Sequence, residues 1–378
     1  MATTVISILS LVLTFLYAFF VLFLRRGWQK LPSFKYISKV PQTRVSILIA
    51  ARNEEEKIHL TIEDILSQNY PKNLFELIVV DDHSTDKTAD VISRYADQGV
   101  KLIVLNESKP LNSYKKKAIS EAMNLATGEL IVTTDADCRM HSNWLSTIIN
   151  CSEQGNFKLV SSPVVYFEEN NRFEKLQSLE FLYLIGLGAA GIGNQMPSTC
   201  NGANLAYRKD VFYELGGFKG IDDVASGDDE LFLHKVAHAF PGTIGFCKSA
   251  EAIVFTHAKP NLKEFISQRK RWASKTVKYK DKKILVLGFT IWLFNISLVI
   301  NFCLGILYSP FFMGLLLGQF AVKFTVEILF LRPLTVFANR KRLLYYLGFL
   351  TFAHVIYLVF IGVAGNWGKY SWKGRMVK

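Results

Sequence analysis

Cysteine is scarce in this chain, and the five residues (Cys138, Cys151, Cys200, Cys247 and Cys303) show neither metal-ligand spacing nor an evident pairing. That argues against a disulfide-stapled scaffold or a zinc module and fits a reducing, cytosolic compartment. Two phosphate-binding signatures are missing as well. No Gly-x-Gly-x-x-Gly follows the first strand-like segment, which excludes a dinucleotide fold of the usual sort, and no Gly-x-x-x-x-Gly-Lys-Ser occurs. Phosphates, where bound, must then be met by a metal and by side chains rather than by a glycine-rich loop. Internal repeats, low-complexity tracts and nucleic-acid motifs are also absent. Acidic residues are outnumbered, for a net charge of +12. With long apolar runs in the same chain, anionic lipid is the simpler partner for that charge.

Half of the 378 residues are hydrophobic, and unevenly spread. Val5 to Leu24 is uncharged, interrupted only by Ser7, Ser10 and Thr14, and about twenty such residues cross a bilayer core of about 30 Å. No basic residue precedes the run and no small-residue cleavage site follows it, so it reads as an anchor rather than a signal peptide. Arg25, Arg26, Lys30, Lys35 and Lys39 follow it, which puts the next segment in the cytosol. Near the other end, Ile284 to Leu307 and Leu343 to Gly365 are long and nearly uncharged. Phe311 to Leu331 is apolar but carries Lys323 and Glu327, four apart and so on one helical face. It either spans or dips in and returns, because charges in lipid must pair or face protein. The basic loop Arg332 to Arg342 and the basic tail both ask for the inner side, and no count of full spans satisfies both. The expected organisation is an anchor over 1–24, a cytosolic domain over 25–258, a basic interfacial helix over 259–283, spanning segments over 284–365 and a basic tail over 366–378.

Within the polar part, strand-like segments alternate with helical periodicity. Val45 to Ala50 precedes a helix with Ile58, Ile62 and Ile65; Leu77 to Val80 ends on Asp81-Asp82 before the next helix; Lys101 to Leu105 precedes a helix through Ala118 to Ala126; and "GELIVTTDADC" supplies a fourth strand. That order predicts an α/β fold with a mostly parallel sheet. Ligands collect at the carboxyl ends of such strands, where this chain carries Arg52, Asn53, Glu54, Asp81, Asp82, Asp135 and Asp137. Asp135 and Asp137 repel each other unless a cation sits between them, and a pair of carboxylates suits Mg²⁺ or Mn²⁺ shared with substrate phosphates. Lys115, Lys116 and Lys117 read either as a solvated helix start or as a phosphate contact. "FLYLIGLGAAGIG", from Phe181, is too short to span and reads as a core helix or as an interfacial, acceptor-facing helix leading to Cys200-Asn201-Gly202.

Further on, "SGDDELFLHK" holds Asp228 and Asp229, and "FISQRKRWASK" holds Gln268, Arg271 and Trp272 in the spacing Gln-x-x-Arg-Trp. With "AARNEE", "VVDDHSTDKT", "YKKKAISEAMNLATGE", "TTDADC" and "CNGANLAYRKDVFYELGGF", these marks run in order over residues 45 to 272. The chain resembles the membrane-bound family 2 glycosyltransferases, the group of cellulose, chitin and hyaluronan synthases, and it resembles ceramide glucosyltransferase too. The resemblance implies a GT-A fold, a nucleotide-sugar donor (usually UDP-linked), a divalent metal and inversion at the anomeric carbon. It places Ala50, Arg52, Glu54 and Asp82 on the uridine, Lys115 at a basic donor-site position, and Gln268 with the donor. Asp135 is implied on nucleotide and metal, and Asp137 on the metal. The family's general base falls on Asp228, with Asp229 a second candidate, because Ser226-Gly227 replaces the usual Thr-Glu.

The chemistry asks for the same residue types. A carboxylate must take the proton of the acceptor hydroxyl, and the departing nucleoside diphosphate needs a metal and a cation such as Arg271. Trp272 offers a flat face to a lipid or glycan acceptor, and Asn201 and Gly202 stand as further acceptor positions. Residues 259–283 hold ten Lys or Arg, so the segment also reads as a membrane-surface helix. The expectation is a multi-pass cell-membrane enzyme with a cytosolic catalytic domain, transferring a sugar to a membrane lipid. The alternative is a processive polysaccharide synthase, disfavoured because at most about four segments have the usual 17–25-residue spanning length.

Overall fold

A computed structural model describes residues 2–34, 42–107, 113–279, 281–364, 370–372 and 375–377. Lys35, Lys39 and Gly365, and the lysines at 369, 373 and 378 of the basic tail, lie outside the described residues. In chain order, helix α1 (Ala2–Lys30) precedes strand β1 (Val45–Ala51), α2 (Ile58–Leu66), β2 (Phe75–Asp81), α3 (Thr88–Ser93), β3 (Val100–Val104), α4 (Tyr114–Leu125) and β4 (Leu130–Asp135). Then come β5 (Arg139–Met140), α5 (Trp144–Gly155), β6 (Leu159–Ser161), β7 (Val164–Tyr166), α6 (Arg172–Gly193), β8 (Leu205–Arg208), α7 (Lys209–Glu214) and α8 (Glu230–Ala239). The chain continues through β9 (Ile244–Phe246), β10 (Val254–Thr256), α9 (Leu262–Ser274), α10 (Lys282–Leu307), α11 (Pro310–Phe337) and α12 (Leu347–Ala364).

Contacts divide the chain into two compact units. One comprises Lys30–Glu168, Gly191–Ala258 and Lys369–Lys378; the other comprises Met1–Gln29, Glu169–Ala190 and Lys259–Gly368. The first holds a seven-stranded sheet in the order β3-β2-β1-β4-β8-β6-β9. Four of its six neighbouring pairs are parallel, and β8 runs antiparallel to both its neighbours. The expected mostly parallel α/β sheet is present. Its central strands are apolar runs with Ile47, Leu48, Ile49 and Ile131 fully buried, the pattern of strands covered on both faces. A smaller sheet pairs β5, β10 and β7.

The second unit is helical, built from α1, most of α6, and α9 to α12. Among the described residues, five helices are long and apolar enough to cross a membrane by length and composition: Thr3–Lys30, Arg172–Gly193, Lys282–Leu307, Pro310–Phe337 and Lys341–Val363. The sequence had suggested about four. The fifth is α6, which begins at Arg172, well before the apolar stretch at Phe181. Its leading turns look polar in sequence, yet Glu174, Gln177 and Ser178 there are buried and partnered inside the protein. The Glu174 carboxylate accepts from Asn171 Nδ2 at 2.7 Å, the Gln177 amide bonds both the carbonyl and the N–H of Lys259, and Ser178 Oγ donates to Glu169. Lys323 and Glu327 of α11 likewise turn inward, fully and nearly fully buried. They pair with each other, Tyr17 donates to Glu327 at 2.7 Å, and Thr351 donates to its other oxygen at 2.7 Å.

Candidate functional site

The sheet register assembles the site. β1 and β4 are parallel with Ala50 opposite Asp135, and β1 and β2 are parallel with Ala51 opposite Asp81. The carboxyl ends of three adjacent strands therefore bring the "AARNEE", "VVDD" and "TTDAD" segments to one rim. The antiparallel strand β8 starts where β4 ends, since Leu205 lies opposite Thr133. That puts Asn201 and Gly202 at the same rim, where Thr133 Oγ1 donates to the Gly202 carbonyl at 2.8 Å.

The lysine triplet is neither of the single readings its sequence allowed. Consecutive helical residues point in different directions, and at the start of α4 they take three roles. Lys115 Nζ lies 2.7 Å from Asp135 Oδ1 and 3.4 Å from Asp228 Oδ2. Burial opposes its charge, but Asp135, Asp228 and Asp229 outweigh that and raise its pKa above the ordinary value. It is the cation beside the first aspartate of the strand-end pair. Lys116 is buried and donates to the carbonyls of Val224 (2.7 Å) and Ser226 (2.8 Å). Burial lowers its pKa to about 8 against the pull of Asp228 and Asp229. It ties down the loop that carries Asp228, a role the sequence did not disclose. Lys117 makes a surface pair with Glu121, one turn on, and a longer one with Glu107.

Asp228 and Asp229 part company in the same way. Both oxygens of Asp229 are held by backbone: Oδ1 accepts from Glu230 N at 2.6 Å, at the start of α8, and Oδ2 accepts from Gly202 N at 2.9 Å. Asp228 instead faces Lys115. Gly202 packs closely against both, since a Cβ on it would stand 3.2 Å from Asp228 Oδ2 and 3.3 Å from Asp229 Cβ, a tight contact that either side chain would have to yield to by a few tenths of an ångström.

On the other flank, Arg52 Nη1 donates to the carbonyls of Asp82 (2.9 Å) and His83 (2.6 Å), which ties the β1 exit to the β2 exit. Glu54 N donates to Thr88 Oγ1, and Asp82 is buried with its carboxylate 2.9 Å from His83 Nδ1. Asn53 and His83 take the left-handed conformation, at φ 50° and 56°. Asn53 turns its Oδ1 onto Thr85 N at 2.8 Å, which holds the two exit turns together.

Asp137 is part-exposed and has no hydrogen-bond or ion-pair partner among the described residues. A strand end with one uncommitted carboxylate and a second one residue away supplies the hard oxygen donors that Mg²⁺ and Mn²⁺ take. These two carboxylates are of the type such an ion takes, while among the described residues no group of three or more His, Cys, Asp or Glu is placed to hold one. Gln268, Arg271 and Trp272 are all on α9 in the helical unit, each part-exposed, with the Trp272 ring stacked on Phe181 at 6.0 Å.

Against known proteins, the glycosyl transferase family 2 profile matches residues 46–216. The chain is 35% identical over 105 residues to the beta-monoglucosyldiacylglycerol synthase of Nostoc sp., a match covering 28% of this chain and 22% of that protein. It is 25% identical over 196 residues to the glucosyl-dolichyl phosphate glucuronosyltransferase of Haloferax volcanii, covering 51% of this chain and 61% of that protein. The chain thus spans less than two thirds of either relative. A mannosyltransferase from Pyrobaculum calidifontis, solved with GDP-Man and Mn²⁺, shares the fold over 93% of this chain and 99% of its own at a TM-score of 0.61 and 18% identity. The sheet, its rim of acidic motifs and the profile match agree, and residues 46–216 are a family 2 glycosyltransferase domain of the GT-A fold.

Proposed function

We propose that this protein is an inverting glycosyltransferase that moves a sugar from a nucleotide sugar, a UDP-sugar in first place, to a membrane lipid at the cytosolic face of a cell membrane. The observation that carries the reading is Lys115 reaching both Asp135 and Asp228, which joins the donor-side and acceptor-side motifs in one polar cluster. Arg52, Glu54, Asp82 and the backbone at Ala50 hold the uridine, with Gln268 contributing to the donor. Asp135 and Asp137 would hold Mg²⁺ or Mn²⁺, which supplies neutralisation of the diphosphate charge. Asp228 takes the proton of the acceptor hydroxyl as its oxygen attacks the anomeric carbon. The bond to the diphosphate breaks on the opposite face, which inverts the centre, and the electron pair leaves with the nucleoside diphosphate. Arg271 meets that developing charge, and Trp272, Asn201 and Gly202 receive the acceptor. These last assignments rest on the order of the sequence motifs.

The lipid acceptor is supported by the names of both relatives, one a monoglucosyldiacylglycerol synthase and the other a glucuronosyltransferase named for glucosyl-dolichyl phosphate. The five apolar helices and the basic segment 259–283 agree with it. Arg25 and Arg26 at the end of the first apolar run support a cytosolic catalytic domain. Incubating membranes with labelled UDP-sugars and separating lipid-soluble from polymeric product tests the reading. Label in the lipid fraction is the expected result. A long water-soluble polymer made from donor alone would identify a processive synthase instead.

A further inference from the structure

We propose that Arg269, at one of the unspecified positions of Gln-x-x-Arg-Trp, is the positioning residue of that motif: held by Glu180, it sets the Gln268 amide and the Trp272 ring for sugar transfer. This rests on the reading that the motif serves the reaction.

Phe265, Arg269 and Trp272 recur at i, i+4 and i+7 along α9 and so share one face. Phe265 and Arg269 are buried, Arg269 at only 3% exposure, whereas Gln268, Arg271 and Trp272 remain part-exposed. Each nitrogen of the Arg269 guanidinium is engaged. Nε donates to Glu180 Oε1 at 3.1 Å, Nη2 pairs with Glu180 Oε2, and Nη1 donates to Gln268 Oε1 at 2.9 Å. Its planar carbon lies 4.3 Å from the Trp272 ring centre and 4.5 Å from that of Phe265. Trp272 is stacked in turn on Phe181, the neighbour of Glu180 on α6.

A buried arginine needs a counter-charge, and Glu180 alone would satisfy that need. The third edge and the aromatic faces go further. They fix which end of the Gln268 amide faces inward and hold the indole plane, both on residues whose outer sides stay accessible. A planar fork with stacking faces is needed for this, and a lysine ammonium has neither.

The experiment separates bracing from folding. Replacing a buried ion pair by apolar residues of similar volume is often neutral for stability, so the double variant Glu180→Met/Arg269→Met should unfold at about the parent temperature in detergent. Its transfer to lipid should nonetheless fall by about 10²-fold, the scale of a misplaced reacting group. Hydrolysis of the donor by water, which needs Gln268 but no acceptor held at Trp272, should fall less than transfer does. Arg269→Lys, which keeps the charge but not the fork, should show the same raised ratio of hydrolysis to transfer, and it carries the test should the double variant not fold. Parent-like transfer by either variant overturns the proposal and leaves the pair a structural tie. Parent-like transfer by Arg271→Ala and Trp272→Ala would instead remove the underlying reading of the motif.

Discussion

Lys115 and its neighbours show how a few ångströms assign roles that composition cannot. Asp135 is neutralised by Lys115, while Asp137 stands uncommitted one residue on. Asp137→Ala should therefore leave the fold intact by circular dichroism and abolish the increase in nucleotide affinity on adding Mn²⁺, read by titration calorimetry; an unchanged increase would clear Asp137 of that role. The adjacent aspartates predict opposite phenotypes. Asp228→Asn should cost about 10²-fold or more in turnover, the scale of an acid–base group, with donor binding nearly intact. Asp229→Ala removes the acceptor at the start of α8 and leaves Gly202 N without its partner. It should lower stability by about 0.5–2 kcal/mol for the cap and affect turnover less; a larger turnover loss there than at Asp228 would exchange the two roles.

At the scale of elements, the central strands are pinned at their amino ends, away from the site. Glu76, opposite Ser46 in the register, accepts from Ser46 Oγ, Lys101 Nζ and Thr127. Burial alone would push its pKa up. The hydrogen bonds from Lys101, Ser46 and Thr127 outweigh it and hold the group at about 2 against an ordinary 4.5. A carboxylate depressed in the folded state adds stability above its unfolded pKa and loses it as pH falls through the folded one. The unfolding temperature should drop as pH goes from 4.5 toward 2, and Glu76→Gln should flatten that drop while lying below the parent at higher pH. Parallel slopes for the two proteins would show that the acid sensitivity arises elsewhere.

For the whole molecule, the helical unit carries its polar groups inside. Beside the Lys323–Glu327 pair, Gln319 donates to Thr14 Oγ1 at 2.9 Å and Asn301 donates to Gln319 at 2.7 Å. Glu327→Ala strands a fully buried ammonium and should destabilise by about 3–5 kcal/mol, measured by thermal unfolding in detergent. Adding Lys323→Leu should restore most of the loss. A single variant as stable as the parent would mean that the pair contributes nothing to stability.

Local pattern carried the sequence a long way. Alternating apolar runs determined the α/β sheet and the shared rim at which its strand-end aspartates meet, and uncharged stretches determined most of the apolar helices, because each signal repeats with the period of its own element. Three matters needed tertiary structure. Lys115 and Lys116 differ only in direction from the helix axis, so their partners 20 and more than 100 residues away gave them separate roles. Asp228 and Asp229 were interchangeable in sequence until Gly202 N and the start of α8 engaged one of them. The polar turns of α6 hid a long helix, because hydropathy counts a side chain as polar whether or not a distant residue has already satisfied its hydrogen bonds.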